Sequence, residues 1–169
     1  GYYTFGAKDN GLAFFEQNTN MIASTTNVSD GNWHFIVAKR EKSGDSCIMK
    51  LFVDGNLEAT KTDASCGQAG VSTESLYIGQ RKDGAYRVKG ILDEVRIYNR
   101  ALSDSEIQAI YENNTFIREG LVAYWRFDEG SGTTAHDTHH IAYSTNREGS
   151  KFGNALNFDG VDDYVEVPY

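Results

Sequence analysis

Three histidines, His136, His139 and His140, crowd one polar stretch with Asp137 between them. A zinc ion needs its ligands fixed in tetrahedral geometry. No cysteine lies nearby, so a polar loop is the expectation. Asp159, Asp162 and Asp163 form an acidic cluster whose spacing lacks the full ligand pattern of an EF-hand loop, and it reads as a solvated turn. Glycoside hydrolysis needs two carboxylates facing a sugar across a cleft, yet the chain has no Glu-x-Asp-x-x-Glu pattern. It also has no Gly-x-Ser-x-Gly elbow. Trp33 and Trp125 are residues that stack on sugar rings, but both fall in apolar runs and read as core. His34, beside Trp33, reads as a sheet residue rather than a catalyst. No catalytic residue is assigned.

Cys47 and Cys66 stand on either side of an Asp54-Gly55 turn, roughly cross-strand. A disulfide is expected, which favours an oxidising compartment; two buried free thiols are the alternative. Glycosylation triplets begin at Asn27 (Asn27-Val28-Ser29) and Asn113 (Asn113-Asn114-Thr115), a pattern that also arises by chance.

The elements that must position these residues are mostly strands. The chain has 169 residues, 40% hydrophobic and 12% aromatic, enough for one packed domain. A formal net charge of −8 argues against nucleic acid as a partner, because phosphate binding needs a clustered positive face. No run reaches the roughly 18 apolar residues that a membrane-crossing helix requires. No signal peptide is visible, and the chain, starting at Gly1 without an initiator Met, reads as an excised or processed segment.

Turn residues divide the apolar runs. Asn32–Ala38 reads as a strand entered through Ser29-Asp30-Gly31. Cys47–Val53 and Leu57–Thr62 flank Asp54-Gly55, the strongest short hairpin signal in the chain. Further strands are predicted at Ser75–Gly79, Gly90–Tyr98, Gly120–Phe127, Ala155–Phe158 and Tyr164–Val167, with a long polar loop from Thr133 to Gly153. One short helix starts at Ser103, whose partner Glu106 three residues on completes a capping box. Ile107, Ile110 and Tyr111 supply its stripe, and Asn113-Asn114 end it. Strands at this spacing predict an all-β antiparallel sandwich or barrel with one short helix.

Four blocks, Gly31-Asn32-Trp33-His34, Leu51–Gly55, Leu76–Gly79 and Leu92–Ser103, resemble the closing half of a laminin-G/concanavalin A-like jelly-roll domain. Leu121–Gly132 and Ala155–Val165 resemble its opening half. The order is reversed relative to that family. The resemblance therefore implies residues 1–112 as a C-terminal half, 113–119 as a linker and 120–169 as an N-terminal half. Together they would make one permuted or strand-exchanged sandwich. An aromatic-rich strand that the family carries between the blocks is not found, which implies that material is omitted or that a partner or a terminus fills the slot.

In that family the first and last strands pair, so the resemblance brings Asp128 close to Asp93, near the turn carbonyls of 130–132. It implies a structural Ca²⁺ there, with Asp137 as a weaker third ligand; turn-capping roles for Asp93 and Asp128 are the alternative. It further implies a non-catalytic extracellular or cell-surface recognition and adhesion module, binding glycans or other surface proteins. Two alternatives stand beside this: a structural repeat forming a homo-oligomeric fibre or array by strand exchange, and a glycoside hydrolase remnant.

Overall fold

The computed structural model describes residues 3–8, 10–17, 20–64, 75–129, 134–139, 156–159 and 164–167. They form antiparallel β-strands and, among the described residues, a single helix. The chain divides into two compact units, one of residues 1–75, 100–117 and 168–169, the other of 76–99 and 118–167.

The first unit holds two three-stranded sheets. One orders β1 (Tyr3–Ala7), β2 (Leu12–Gln17) and β3 (Asn20–Asn27); the other orders β4 (Ile36–Ser43), β5 (Ser46–Val53) and β6 (Asn56–Asp63). The β5–β6 hairpin closes through Asp54 (φ 51) and Gly55 (φ 78). Two positive φ values in succession are what a two-residue turn matching strand twist requires. Ala13, Phe15 and Ile22 from the first sheet and Met49, Leu51 and Val53 from the second share one buried cluster. Alternate residues of each strand thus face a common interior.

β3 bulges where Ala13 opposes the three residues 24–26. The disrupted backbone groups are satisfied by side chains. Ala13 N donates to Ser24 Oγ at 2.9 Å, and Ser24 Oγ donates to Thr26 O at 2.8 Å. Glu58 Oε2, on β6, accepts from Thr25 N at 2.7 Å and Thr26 N at 2.9 Å. A carboxylate thus joins the edges of the two sheets.

The helix α1 (Asp104–Asn113) has the expected capping box: Ser103 Oγ accepts from Glu106 N, and Glu106 Oε2 accepts from Ser103 N. It ends at Asn114 in the left-handed region. Buried Lys39 ties it to β4, its Nζ donating to Leu102 O at 2.9 Å and Asp104 Oδ1 at 2.5 Å. Tyr111 stacks on Phe35 with ring centres 6.2 Å apart, so a stripe residue that is itself exposed covers the start of β4.

The second unit nests three strand pairs: β7 (Leu76–Ile78) with β12 (Val165–Val167), β8 (Lys89–Leu92) with β11 (Leu156–Asp159), and β9 (Val95–Tyr98) with β10 (Leu121–Trp125). Ile78, Trp125 and Phe127 form its core, with Leu92, Val95, Ile97 and Leu156 packed against them.

Three predictions need correction. Gly90–Tyr98 is two strands, because Glu94 takes φ 56 and Asp93 Oδ1 accepts from Glu94 N at 2.8 Å, turning the chain. The strand predicted from Asn32 begins only at Ile36, so His34 is not a sheet residue. Trp33 is not core but 47% exposed; its run is apolar, yet it sits in the irregular loop ahead of β4. Trp125, 3% exposed, is core as expected.

Candidate functional site

Two places concentrate charge, and each lies within one unit. In the first unit the loop 28–35 enters β4 beside the β5–β6 turn. His34 Nδ1 lies 2.8 Å from Asp54 Oδ2 and its Nε2 3.1 Å from Asp30 Oδ1. With a carboxylate on each ring nitrogen, both nitrogens donate in the imidazolium form. The Asp54 hydrogen bond is accordingly the main cause holding the His34 pKa above its ordinary value.

Asp30 is engaged on both oxygens, Oδ1 accepting from Asn32 N at 2.9 Å and Oδ2 from Asn32 Nδ2 at 3.0 Å. These bonds to Asn32 hold its pKa at about 2. Asp54 Oδ1 accepts from Phe35 N at 2.9 Å. The loop is therefore fastened on both sides of Trp33, whose indole is left half exposed.

In the second unit the β9–β10 ladder sets Trp125 opposite Val95. Asp93–Glu94 and Phe127–Asp128 consequently flank one end of that ladder. Glu94 (φ 56) and Phe127 (φ 53) both hold positive backbone angles there, a strain that only surrounding structure sustains. Burial, followed by the charge of Glu94, raises Asp93 to about 6, and Asp128 adds to the rise. Two carboxylates thus sense each other at a partly buried strand end, hard oxygens of the kind Ca²⁺ takes but fewer than the six to eight it binds. Asp128 also pairs with Arg126.

Asp137 is placed differently. Its Oδ1 accepts from Tyr124 N at 2.9 Å and His139 N at 3.0 Å, and both its oxygens lie 2.8 Å from His139 Nδ1. It ties its loop to β10. Among the described residues no group of three His, Cys, Asp or Glu side chains stands ready to hold a metal ion. The carbonyls of 130–132 lie outside the described residues, as do His140, Asp162 and Asp163.

Beside this pair, Glu94 Oε2 accepts from Arg96 Nη2 and from the Tyr124 hydroxyl, and the Arg96 guanidinium lies 4.8 Å from the Tyr124 ring centre. Burial raises the Tyr124 pKa, so its hydroxyl stays a donor.

Cys47 is buried, and the described residues hold no free cysteine; Cys66, its expected partner, lies outside them. Asn27 and Asn113 are both exposed, with Asn27 Oδ1 accepting from Ser29 N at 2.8 Å. The His34 clamp escaped the sequence reading, although Asp30 four residues before His34 and the turn Asp54 were its available signals.

A laminin G family model, described as the concanavalin A-like lectin/glucanases superfamily, matches residues 1–108. No curated protein and no solved structure matches the chain.

Proposed function

The chain belongs to the concanavalin A-like lectin/glucanases superfamily, and from that premise we propose that it is a non-catalytic recognition module that binds carbohydrate through the Trp33 loop. The observation that carries this reading is the half-exposed Trp33 on a loop locked by the Asp30–His34–Asp54 clamp. A stacking surface fixed before binding loses little conformational freedom when a ligand arrives. The same clamp occupies both nitrogens of His34, so this histidine serves the loop's shape and is not offered as a general base.

Asp93 and Asp128 would hold a Ca²⁺ whose role is to neutralise the paired carboxylates and fasten the end of the β9–β10 ladder. The module is proposed to work outside the cell or on its surface, with Cys47 and Cys66 disulfide-bonded. No helix among the described residues is long and apolar enough to cross a membrane.

Titration of the full chain with a panel of neutral oligosaccharides tests the proposal, followed by tryptophan fluorescence in the native chain and by calorimetry in both the native chain and Trp33→Ala. The chain has two tryptophans and Trp125 is buried, so a response should come from Trp33. Binding that disappears in Trp33→Ala at unchanged melting temperature is expected. No response to any sugar, or an equal response in the variant, would defeat it.

A further inference from the structure

The ladder between β7 and β12 has no part in the features above. It is short, with Val165 opposite Ile78, Glu166 opposite Tyr77 and Val167 opposite Leu76, and it joins distant parts of the chain. Successive residues of a strand point to opposite faces. Ile78 is buried in the core of the second unit with Val165 packed against it. Tyr77 and Glu166 therefore share the outer face, and so does Tyr164, two residues before Glu166.

On that face two phenol rings meet. The ring centres of Tyr77 and Tyr164 lie 5.9 Å apart, with planes inclined at 42°. They are diagonal neighbours across an antiparallel pair, a spacing that aromatic side chains can span. Inclined in this way, the rings form no single flat surface for a ligand to stack on. Tyr164 is 47% exposed and Tyr77 half-buried, so a reagent in solution reaches the pair.

A carboxylate stands beside the first ring. The Tyr77 hydroxyl donates to Glu166 Oε1 at 3.2 Å. Burial, followed by that hydrogen bond, raises the Tyr77 pKa, so at neutral pH the group is a phenol that keeps its proton. A phenol that loses an electron becomes a strong acid, and Glu166 is placed to take the proton at that moment.

We propose that Tyr77 and Tyr164 are a site of oxidative cross-linking, joined through ring carbons ortho to their hydroxyls by a haem peroxidase and hydrogen peroxide. Each ring gives up one electron and its phenolic proton, that of Tyr77 passing to Glu166. The two phenoxyl radicals then form one carbon–carbon bond. Each joined carbon loses its hydrogen as a proton while the oxygen of its ring takes one back, which restores both aromatic rings and both hydroxyls. The pair has lost two hydrogens in all, and the peroxide, reduced by two electrons, has become two waters. The bond ties β12 to β7 and restricts the unfolded chain as a disulfide does. This inference goes beyond the recognition reading and does not depend on it.

The test treats the dilute full chain with a haem peroxidase and hydrogen peroxide, isolates the monomer, and follows dityrosine fluorescence and cross-linked peptides by mass. A peptide pair joining Tyr77 to Tyr164, lighter by two hydrogens, is expected. Tyr77→Phe and Tyr164→Phe should each abolish the monomer's dityrosine fluorescence, and before oxidation each should melt as the native chain does. Glu166→Gln, which keeps the shape but not the proton acceptor, should slow cross-linking about threefold or more. The cross-linked native chain should melt about 5 °C or more above the untreated one, a rise that neither Phe variant gains. No Tyr77–Tyr164 peptide, coupling only between chains, or undiminished monomer fluorescence in either Phe variant would overturn the proposal. An unchanged rate in Glu166→Gln would overturn the part given to the carboxylate, and an unchanged melting temperature the tie between β7 and β12.

Discussion

The Trp33 loop and the loop between β7 and β8 that carries Tyr86 solve one problem with opposite charge. In the first, a cation, His34, is enclosed by two carboxylates, Asp30 and Asp54. In the second, a carboxylate, Asp83, is enclosed by a guanidinium, Arg81. Each clamp lies beside a half-exposed aromatic residue that it helps hold in place, the Arg81 guanidinium lying 4.8 Å from the Tyr86 ring centre. The difference is that the first clamp contains a histidine, held above its ordinary pKa by Asp54, and the second contains only a carboxylate and a guanidinium. The Trp33 loop is therefore pH-sensitive, whereas the Tyr86 loop keeps its charges across the neutral range.

The largest effect is expected at the base of the Tyr86 loop. Gly79 has φ 99, and a β-carbon there would stand 2.3 Å from Cε1 of the buried Phe158. Gly79→Ala should cost about 2–4 kcal/mol in chemical denaturation, through strain and overpacking. The comparison would be broken if the substitution were neutral.

Next comes His34→Ala. The His34 pKa is raised on folding, so its stabilisation is complete below the unfolded value near 6.5 and is lost as pH rises through the folded value. The variant should lose about 1–2 kcal/mol at pH 6 and clearly less at pH 9, measured by urea denaturation at both. An equal loss at both values would remove the charge from the clamp.

A smaller effect is expected at the β9–β10 end. Asp93 is raised to about 6, so the protonated form favours the fold, and stability from this group falls as pH rises through 6. Without calcium, Asp93→Asn should raise the melting temperature more at pH 7.5 than at pH 5.5, because the native carboxylate carries its partly buried charge fully only above pH 6. Calcium at pH 7.5 should raise the melting temperature by about 2–4 °C. Asp93→Asn should abolish that response. The smallest effect is Tyr86→Gly, expected to leave stability unchanged or raised by about 0.5–1 kcal/mol as the strain of its φ of 52 is relieved.

Much of the fold was legible because local chemistry and tertiary context agree. The Asp54-Gly55 turn fixed its hairpin, and Ser103 with Glu106 fixed the start of α1. β1 to β3 were not individually legible. β2 reads Leu-Ala-Phe-Phe, buried or half-buried throughout, so no period of two stands out, and β1 has no charged residue to mark a face. The break at Glu94 coincides with the charged pair Asp93-Glu94 inside Gly90–Tyr98, which was read through as one strand because a positive φ on glutamate has no sequence signal of its own. Of the calcium candidates, Asp93 and Asp128 were put forward through the resemblance, while the backbone hydrogen bonds that occupy Asp137 depend on where its loop returns to β10. The exposure of Trp33 was missed because an apolar neighbourhood does not reveal where a turn stops and a strand starts.

Calorimetric titration of the full chain with a neutral oligosaccharide, repeated in Trp33→Ala and Tyr86→Gly, reaches the central claim most directly. The expected result is that Trp33→Ala loses the sugar and Tyr86→Gly keeps it. Retention of the sugar in Trp33→Ala, or its loss in Tyr86→Gly, would contradict recognition through the Trp33 loop.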